Sequence, residues 1–301
     1  MHSLVVVTWE SRRDLARLID SMLAKLPPEH ELVVVDNGSR DDPGAELERW
    51  PGPRRFIGLE RNTGFGPACN RGVGEAGGDA VVLLNPDTEL LDGSLVSLAD
   101  ASLELGALLG PRVRNHDGSR QPSASGPAVG PWPWVRALVP AHLQPPPLLS
   151  RTEPWRLERE TPVTWLTGAC IAAPRRLLER LGPFDERMEL MSEDLDLCLR
   201  AEAAGIGRIF APQLCAIVHH GGGARRRRYY DAGLGLAASN RRRALARAYG
   251  PRRERRGRRA EVLRLGLRAV AYRAIGRDAE GARAELAAAR EAGRQHPPPG
   301  V

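Results

Sequence analysis

The sequence predicts an α/β fold whose central strands are parallel and are covered by helices on both faces. Residues 4–8 and 32–35 are short apolar runs rich in β-branched residues, and the segment between them repeats apolar residues at helical spacing until Pro27. A strand, a helix and a second parallel strand produce this order of patterns. A continuous apolar run is typical of a strand that is buried on both faces.

A third apolar run, residues 80–84, ends just before Pro86, because proline cannot continue a central strand. The turn-rich residues 36–39 close the second run in the same way. Ligands of open parallel sheets bind beyond the carboxyl ends of the strands. We therefore expect Asp36 and Asp87 to face one site.

The rest of the chain combines short predicted elements with one long insertion. Residues 118–162 are rich in Pro, Ser and Trp and are expected to contain little regular structure. We place a first domain at 1–223 and a helical, Arg-rich extension at 224–301, helical from about Tyr229 and frayed at 297–299. The further predicted elements are a strand at 163–172 interrupted near Gly168, helices at 175–180 and 193–203, and strands at 206–210 and 214–218.

Composition limits the classes of protein that the chain can represent. With 301 residues, 42% of them hydrophobic, it can bury a large core. The four cysteines lack CxxC spacing and the N-terminus lacks a signal-peptide pattern, which predicts a cytoplasmic protein with reduced thiols. No stretch approaches the roughly 18 apolar residues of a membrane span, so we expect any membrane contact to be peripheral.

Positive charge is concentrated in the last quarter of the chain. Residues 224–301 carry 21 Arg and 7 acidic residues, a net charge of +14, which leaves −7 for residues 1–223. This pattern indicates either peripheral binding to an anionic membrane or a solvated helical face in a protein with a single Lys among 44 basic residues. Nucleic-acid binding is disfavoured, because the acidic first part opposes a broad phosphate footprint.

The strongest single feature is an acidic pair, Glu193 and Asp194, at the start of a predicted helix. A carboxylate there can accept the proton of an attacking hydroxyl group. The alternative is structural, since acidic side chains favour the first turn of a helix, where the dipole stabilises them by about 0.3–1 kcal/mol.

Two aspartates at strand ends also allow two interpretations each. Asp36, with Thr8 beside it, can accept a hydrogen bond from the N3–H of uracil or thymine, or it can form an Asx turn. Asp87 can bind Mg²⁺ or Mn²⁺ with His219 or His220 as a second ligand, or it can be an ordinary turn residue.

Two further stretches suggest ligand contacts. Residues 62–72, which include Asn62, Gly64 and Asn70, resemble a helix entry that can flank a phosphate, although the P-loop lysine and the dinucleotide-binding spacing are missing. Trp165 can stack on a sugar face or pack in the core.

Taken in order along the chain, these motifs form one set that covers about residues 3–222. Its segments are Val33-Val34-Val35-Asp36-Asn37-Gly38-Ser39 with Asp41, Asn62-Thr63-Gly64-Phe65 with Asn70, Leu84-Asn85-Pro86-Asp87, Trp165-Leu166-Thr167-Gly168-Ala169, Gly182-Pro183-Phe184-Asp185-Glu186, Glu193-Asp194-Leu195-Asp196-Leu197-Cys198-Leu199-Arg200 and His219. The set resembles family 2 glycosyltransferases and looks closest to their rhamnosyltransferase-like branch.

The resemblance implies a GT-A fold, which is a Rossmann-like mixed sheet flanked by helices. It also implies inverting transfer from a dTDP- or UDP-sugar, with rhamnose favoured, to a glycan or polyprenyl-linked acceptor, with Mg²⁺ or Mn²⁺ as cofactor. Asp194 matches the catalytic base, with Glu193 beside it, and Asp87 and His219 match metal ligands. The expected donor contacts are Thr8, Glu10, Asp36, Asn62, Gly64, Asn70, Asn85 and Asp87, and the expected acceptor contacts are Trp165 and Gly168.

The sequence departs from the family pattern at two places. The segment 85–87 has one carboxylate where a DxD motif has two, and residues 188–192 replace an aromatic-rich lead into the acidic pair. A nucleotide-sugar-binding protein without catalysis is therefore the main alternative. A nucleotidyltransferase is disfavoured, because residues 8–11 lack the glycine-rich phosphate loop with basic residues that such enzymes need.

Overall fold

The computed structural model describes residues 1–182, 184–188, 191–221, 224–276 and 279–294, with the backbone alone for residues 224–232. The predicted frayed segment 297–299, the proposed domain boundary at residue 223 and the side chains of residues 225–228 lie outside this description.

The secondary structure alternates strands and helices through the first two thirds of the chain and is helical after that. The strands are β1 (His2–Thr8), β2 (Glu31–Asp36), β3 (Arg54–Gly58), β4 (Ala80–Leu84), β5 (Thr88–Leu90), β6 (Leu108–Gly110), β7 (Arg112–Arg114), β8 (Ala124–Ser125), β9 (Thr161–Pro162), β10 (Trp165–Leu166), β11 (Cys170–Pro174), β12 (Arg208–Phe210) and β13 (Ala216–His219). The α-helices are α1 (Arg12–Lys25), α2 (Gly44–Leu47), α3 (Phe65–Glu75), α4 (Ser94–Leu105), α5 (Trp132–Leu138), α6 (Pro146–Thr152), α7 (Arg175–Leu181), α8 (Glu193–Ala203), α9 (Ala224–Tyr249), α10 (Pro251–Ala274) and α11 (Glu280–Arg294).

The central sheet is mixed, with the strand order β3-β2-β1-β4-β11-β6-β12-β9. Strands β3, β2, β1 and β4 are parallel, β11 runs antiparallel to both β4 and β6, and β12 is parallel to β6. A small second sheet joins β5, β13 and β7. The predicted α/β class with helices around a mixed sheet is confirmed.

The alternation of side chains along the strands explains why their sequences are apolar throughout. Val6 and Val34 point into a core shared with α1 and α4, whereas Val5 and Val35 point into a second core with α3 and α8. Gly72 in α3 lies directly against Val5, so the absence of a side chain there allows the helix to approach the sheet. Both faces are therefore buried, as the continuous apolar runs predict.

The carboxyl ends of the parallel strands meet at one edge of the sheet. Thr8 at the end of β1 is paired with Asp36 at the end of β2, and Val6 is paired with Leu84 at the end of β4. The backbone N–H of Asn37 donates to the carbonyl of Thr8 at 2.8 Å, which holds the turn after β2 against β1. The predicted site residues after β2 and β4 consequently lie along the same edge.

The expectation of little regular structure in residues 118–162 is wrong. This segment contains two seven-residue helices, α5 and α6, as well as short 3₁₀ turns and strands. Prolines lie in the first turn of both helices, where the missing N–H has no helical partner to lose. The prolines that suggest a loop by composition are therefore helix starts.

Helices α9 and α10 pack against the preceding part of the chain, and α11 packs against both of them. Helix α9 contacts α8, and α10 contacts α5. Arg247 in α9 forms ion pairs with Asp196 in α8 and with Asp185, while Arg136 in α5 pairs with Glu261 in α10 at 2.9 Å. Among the described residues no helix combines the length and apolarity needed to cross a membrane.

Candidate functional site

A cavity of about 360 Å³ opens beyond the end of β4, between the start of α8 and the middle of α9. It brings together residues that the sequence places far apart. The residues that line it are Phe65, Asn85, Trp165, Thr167, Gly168, Ala169, Met191, Ser192, Glu193, Asp194, Leu195, His219 and Arg241.

Asp194 is held in a single orientation by hydrogen bonds from three directions. Its Oδ2 accepts the backbone N–H of Gly168 at 2.8 Å, and its Oδ1 accepts the N–H of Leu195 at 2.7 Å. The side chain of Trp165 is a third donor. Burial raises the pKa of Asp194, and these three donors lower it in part because they stabilise the charged form.

Glu193 is buried beside Asp194 and differs from it in hydrogen bonding. Its Oε2 has no hydrogen-bond partner among the residues that the structure describes. Burial, followed by repulsion from Asp194, raises the pKa of Glu193. Two adjacent buried carboxylates do not ionise together easily, and the hydrogen bonds that Asp194 accepts favour the negative charge on that residue over Glu193.

His219 and Asp87 approach each other where β13 passes the turn after β4. The Nε2 atom of His219 lies 3.3 Å from Oδ1 of Asp87 and 3.3 Å from Nδ2 of Asn85. On the other side of the ring, Nδ1 lies 2.8 Å from Oε1 of Gln121. Since an amide oxygen only accepts hydrogen bonds, Nδ1 carries the proton, and the lone pair of Nε2 can accept a hydrogen bond from Nδ2 of Asn85 beside the Asp87 carboxylate.

This arrangement fits a divalent cation. Two ligand atoms that share an octahedral cation at roughly 2.1 Å lie about 3 Å apart, close to the observed separation of the His219 and Asp87 atoms. No cluster of three or more His, Cys, Asp or Glu side chains suited to a metal occurs within the described ranges. Such a two-ligand site is typical of Mg²⁺ or Mn²⁺ bound together with substrate phosphates. His220, the other candidate ligand, instead pairs with Glu89 at 3.1 Å.

Asp36 takes part in the turn that follows β2. Its carboxylate accepts the N–H of Ser39, three residues on, at 3.1 Å and also the Ser39 hydroxyl, so that it closes the turn by side-chain hydrogen bonds. Thr8 is completely buried beneath it and donates to Asp36 at 3.3 Å. The backbone N–H of Glu10 donates to the Ser39 hydroxyl at 2.9 Å. Asp36 therefore has a structural role in this turn, and its predicted contact with a nucleotide base stays a prediction.

Asn37 organises the glycine-containing loop before α3, a role that the sequence analysis missed. Its Oδ1 accepts the N–H of Thr63 at 2.8 Å, and its Nδ2 donates to Oδ1 of Asn62 at 3.0 Å and to the carbonyl of Gly64 at 3.0 Å. Gly64 has φ of 96°, which disfavours residues with a side chain. Asn62 and Gly64 are thus fixed relative to the edge of β2.

Asn70 binds the loop around Phe184 by hydrogen bonds. It accepts the N–H of Phe184 at 2.9 Å and donates to the carbonyl of the same residue at 3.0 Å. These bonds engage both polar atoms of its side chain, and Asn70 does not line the cavity. The donor contact that we predicted for it stays a prediction, whereas its structural contact is direct.

The segment that leads into α8 is held by α9. Met191 and Ser192 have φ of 59° and 72°, the left-handed region in which non-glycine residues are strained. The Ser192 hydroxyl donates to the carbonyl of Ala237 at 3.2 Å, and Nδ2 of Asn240 donates to the carbonyl of Met191 at 3.3 Å. Helix α9 therefore shapes this wall of the cavity.

Sequence reasoning also missed Gln121 and Arg241. Gln121 lies in the segment 118–162, where no motif marks it, and Arg241 is one of 43 arginines in a chain that uses Lys once. Their positions depend on contacts with residues that are distant in sequence.

Comparison with known proteins agrees with this geometry. The model of the family described as Glycosyl transferase family 2 matches residues 3–160. The chain is 31% identical over 243 residues to N-acetylglucosaminyl-diphospho-decaprenol L-rhamnosyltransferase of Mycobacterium tuberculosis, covering 71% of this chain and 75% of that protein. It is 33% identical over 237 residues to an O-antigen biosynthesis protein of Myxococcus xanthus, covering 71% of this chain and 17% of that protein.

Solved structures share the fold at low identity. A mannosyltransferase of Pyrobaculum calidifontis in complex with GDP-Man and Mn²⁺ superposes with a TM-score of 0.62 at 17% identity, over 97% of this chain and 85% of that one. GalNAc-T7 with UDP, GalNAc and Mn²⁺ superposes with a TM-score of 0.58 at 19% identity, over 81% and 47%. The predicted GT-A fold is confirmed, and the chain belongs to glycosyl transferase family 2 as a rhamnosyltransferase-like member.

Proposed function

We propose that this chain transfers a sugar from a nucleotide diphosphate to a hydroxyl acceptor with inversion at the anomeric carbon. The observation that carries the proposal is that one cavity is lined by an oriented carboxylate, Asp194, and by His219, which lies against Asp87. A base and a diphosphate-binding corner within one cavity are what a direct displacement needs.

Asp194 is the proposed base. In the proposed reaction the acceptor hydroxyl gives its proton to a carboxylate oxygen of Asp194 while its own oxygen forms the bond to the anomeric carbon and the bond to the diphosphate breaks. The N–H groups of Gly168 and Leu195 hold the carboxylate in place, so little reorganisation accompanies the reaction. Glu193, as the protonated partner, keeps the local charge at a single negative unit.

Asp87 and His219 are the proposed holders of a divalent cation, which would neutralise the departing diphosphate. Gln121 orients His219 by accepting its Nδ1–H, as outer partners of metal-binding histidines commonly do. Structural relatives solved with Mn²⁺ support a divalent cation without distinguishing Mg²⁺ from Mn²⁺.

For the substrates, we propose a dTDP- or UDP-sugar as donor, with rhamnose favoured, and a polyprenyl-diphosphate-linked glycan as acceptor. The support is the similarity to a rhamnosyltransferase whose name specifies a diphospho-decaprenol acceptor. The proposed donor contacts are those expected from the sequence, and Trp165 and Gly168 lie at the cavity where an acceptor would meet Asp194.

We further propose that the protein works in the cytoplasm at the inner membrane surface, with residues 1–223 as the catalytic domain and 224–301 as the contacting extension. One exposed stripe of α10 is basic in its first half and apolar in its second. Residues 252, 256 and 259 are exposed arginines, and Leu263, Leu267 and Val270 continue the stripe at helical spacing with 37%, 48% and 69% exposure. This combination is typical of helices that lie on anionic membranes.

The test is a transfer assay with nucleotide sugars, preceded by a thermal-shift screen of the same donors with and without Mn²⁺. Asp194→Asn is expected to lower the transfer rate by about 10²–10⁴-fold while donor binding stays normal, because the amide cannot accept the proton of the acceptor hydroxyl. Glu193→Gln, which keeps the neutral form, is the matched control and is expected to retain most activity. Full activity in Asp194→Asn would refute the assignment of the base, and a protein that no donor stabilises would refute the proposed reaction.

A further inference from the structure

Arg241 is a cation in the wall of the active-site cavity. It lies in the middle of α9 and lines the same cavity as Glu193 and Asp194. It also lines a second, smaller cavity of about 50 Å³ between α9, α10 and α11, so its side chain lies between the catalytic site and the packed interior of the extension. The side chain is only partly exposed.

The guanidinium of Arg241 has no hydrogen bond or ion pair with any residue of the described part of the chain. The neighbouring arginines form ion pairs: Arg136 pairs with Glu261 at 2.9 Å, and Arg264 pairs with the same carboxylate at 2.7 Å. The next arginine, Arg242, donates to the carbonyl of Ala292 at 2.9 Å. Arg241 therefore lines the active-site cavity without a hydrogen bond or ion pair to a described residue, unlike the other arginines of this group.

The electrostatic surroundings of Arg241 favour an anion. Burial lowers the pKa of Arg241, and the charges of Arg136 and Arg264 add to that effect, while Glu261 and Asp194 oppose it. An arginine remains protonated in proteins, so it cannot relieve this cost by losing its proton. A partly desolvated cation without a partner is costly, and an anionic ligand that pairs with it removes that cost.

We propose that Arg241 binds a phosphate group of a diphosphate substrate in the active-site cavity. The proposal rests on the function proposed above and adds a phosphate-binding residue supplied by the C-terminal extension. A guanidinium matches two phosphate oxygens with two parallel N–H groups, which fixes orientation as well as affinity. The extension would then take part in catalysis through α9 in addition to any contact with a membrane.

Two substrates carry this chemistry, and their positions differ. The diphosphate of the donor must lie near Asp87 and His219, whereas the diphosphate of a lipid-linked acceptor must reach the cavity from the side of Asp194. Either diphosphate can place a phosphate next to Arg241. Donor binding and acceptor binding therefore have to be measured separately.

The experiment measures binding of inorganic diphosphate, dTDP and geranyl diphosphate by calorimetry to the full chain, with and without Mn²⁺. The variants are Arg241→Gln and Arg241→Lys, and the control is Arg243→Gln on the same helix, which lines neither cavity. We expect Arg241→Gln to weaken binding of inorganic diphosphate by roughly tenfold or more, Arg241→Lys to weaken it less, and Arg243→Gln to leave it unchanged. Without added ligand, the Arg241→Gln protein is expected to melt at a higher temperature than the wild type, because a partly buried charge is lost. Its melting transition also shows that the variant folds.

The nucleotide and the isoprenoid diphosphate distinguish the two sources. Weakened binding of dTDP assigns Arg241 to the donor, and weakened binding of geranyl diphosphate with normal dTDP binding assigns it to the acceptor. Equal binding of all three ligands by wild type and Arg241→Gln, or no binding of any of them by the wild type, would overturn the proposal. Absence of sugar transfer with intact, Arg241-dependent binding of inorganic diphosphate would instead refute the proposed function alone.

Discussion

The Nε2 atom of His219 lies 3.3 Å from Oδ1 of Asp87, although 132 residues separate the two in sequence. The contact exists because β13 pairs with β5 in the small sheet, and β5 begins directly after Asp87. Gln121, from a third segment, fixes the ring by accepting its Nδ1–H at 2.8 Å. The proposed cation site, with Asp87 and His219 as its protein ligands, therefore draws on three separate parts of the chain.

Removal of Gln121, the hydrogen-bond partner of His219, should weaken binding of the divalent cation. Gln121→Leu leaves both ligand atoms in place but frees the imidazole to rotate and change tautomer, so we expect the Mn²⁺ concentration for half-maximal transfer to rise by about 10–100-fold. His219→Ala should raise it further. The control is His220→Ala, because that ring pairs with Glu89. Equal Mn²⁺ dependence in Gln121→Leu and wild type would contradict the role of Gln121.

The stability of the protein should fall as the pH rises, because of Glu193. Its pKa is raised above the ordinary value of 4.5 by burial and by Asp194, so the folded state binds this proton more tightly than the unfolded state. The stabilising contribution is complete below that ordinary value and is lost as the pH increases through the raised pKa. We expect the melting temperature to decrease from about pH 5 to about pH 9, and Glu193→Gln to reduce that decrease. Glu104→Gln, an exposed glutamate, should leave the profile unchanged, and a Glu193→Gln profile identical to the wild type would rule the explanation out.

Arg247 should contribute measurably to stability. Arg247 forms an ion pair with Asp196, whose side chain is buried at 1% exposure. The other partner of Asp196 is Arg200, at 2.7 Å. Arg247→Ala removes one of two cations from a buried carboxylate, and we expect the free energy of unfolding to fall by roughly 1–3 kcal/mol. The comparison is Arg55→Ala, which breaks an exposed pair with Glu75 and should cost about 0–1 kcal/mol. Urea unfolding measures both, and equal losses would show that the buried pair has no special weight.

The exposed stripe of α10 should decide membrane association. Replacing Leu263, Leu267 and Val270 together by Ser is expected to reduce flotation with vesicles that contain anionic lipid, because the apolar half of the stripe is lost. Flotation of the wild type should also decrease at high salt, since the arginines contribute by charge. Leu105→Ser, an exposed leucine at the end of α4, is the control. Flotation that neither salt nor the triple variant changes would refute the proposed surface.

The central part of the fold can be predicted from the amino-acid sequence. Continuous apolar runs predict β1, β2 and β4, Pro27 marks the end of α1, and Gly168 marks the break between β10 and β11. These features follow from local chemistry, because burial on both faces demands apolar residues at every position and prolines interrupt helices and strands. The ordered motifs also identified the family, and they pointed to the edge of the sheet where the cavity lies.

Elements with weak local sequence patterns were predicted wrongly or not at all. Strand β3 has exposed side chains along most of its length at the sheet edge, so no apolar run marks it. The prolines of residues 118–162 read as loop signals, although in the structure they start helices.

The residues that complete the site come together through tertiary packing. Gln121 meets His219 across 98 residues, and Arg241 reaches the cavity of Asp194 from a helix that composition alone describes as one more arginine-rich segment. Such contacts depend on how helices and strands pack, and packing brings together side chains whose own neighbours in sequence carry no signal of the meeting. The sequence could therefore indicate the carboxylates, whereas the partners that orient Asp194 and His219, and the arginine that lines their cavity, could be identified only in the folded chain.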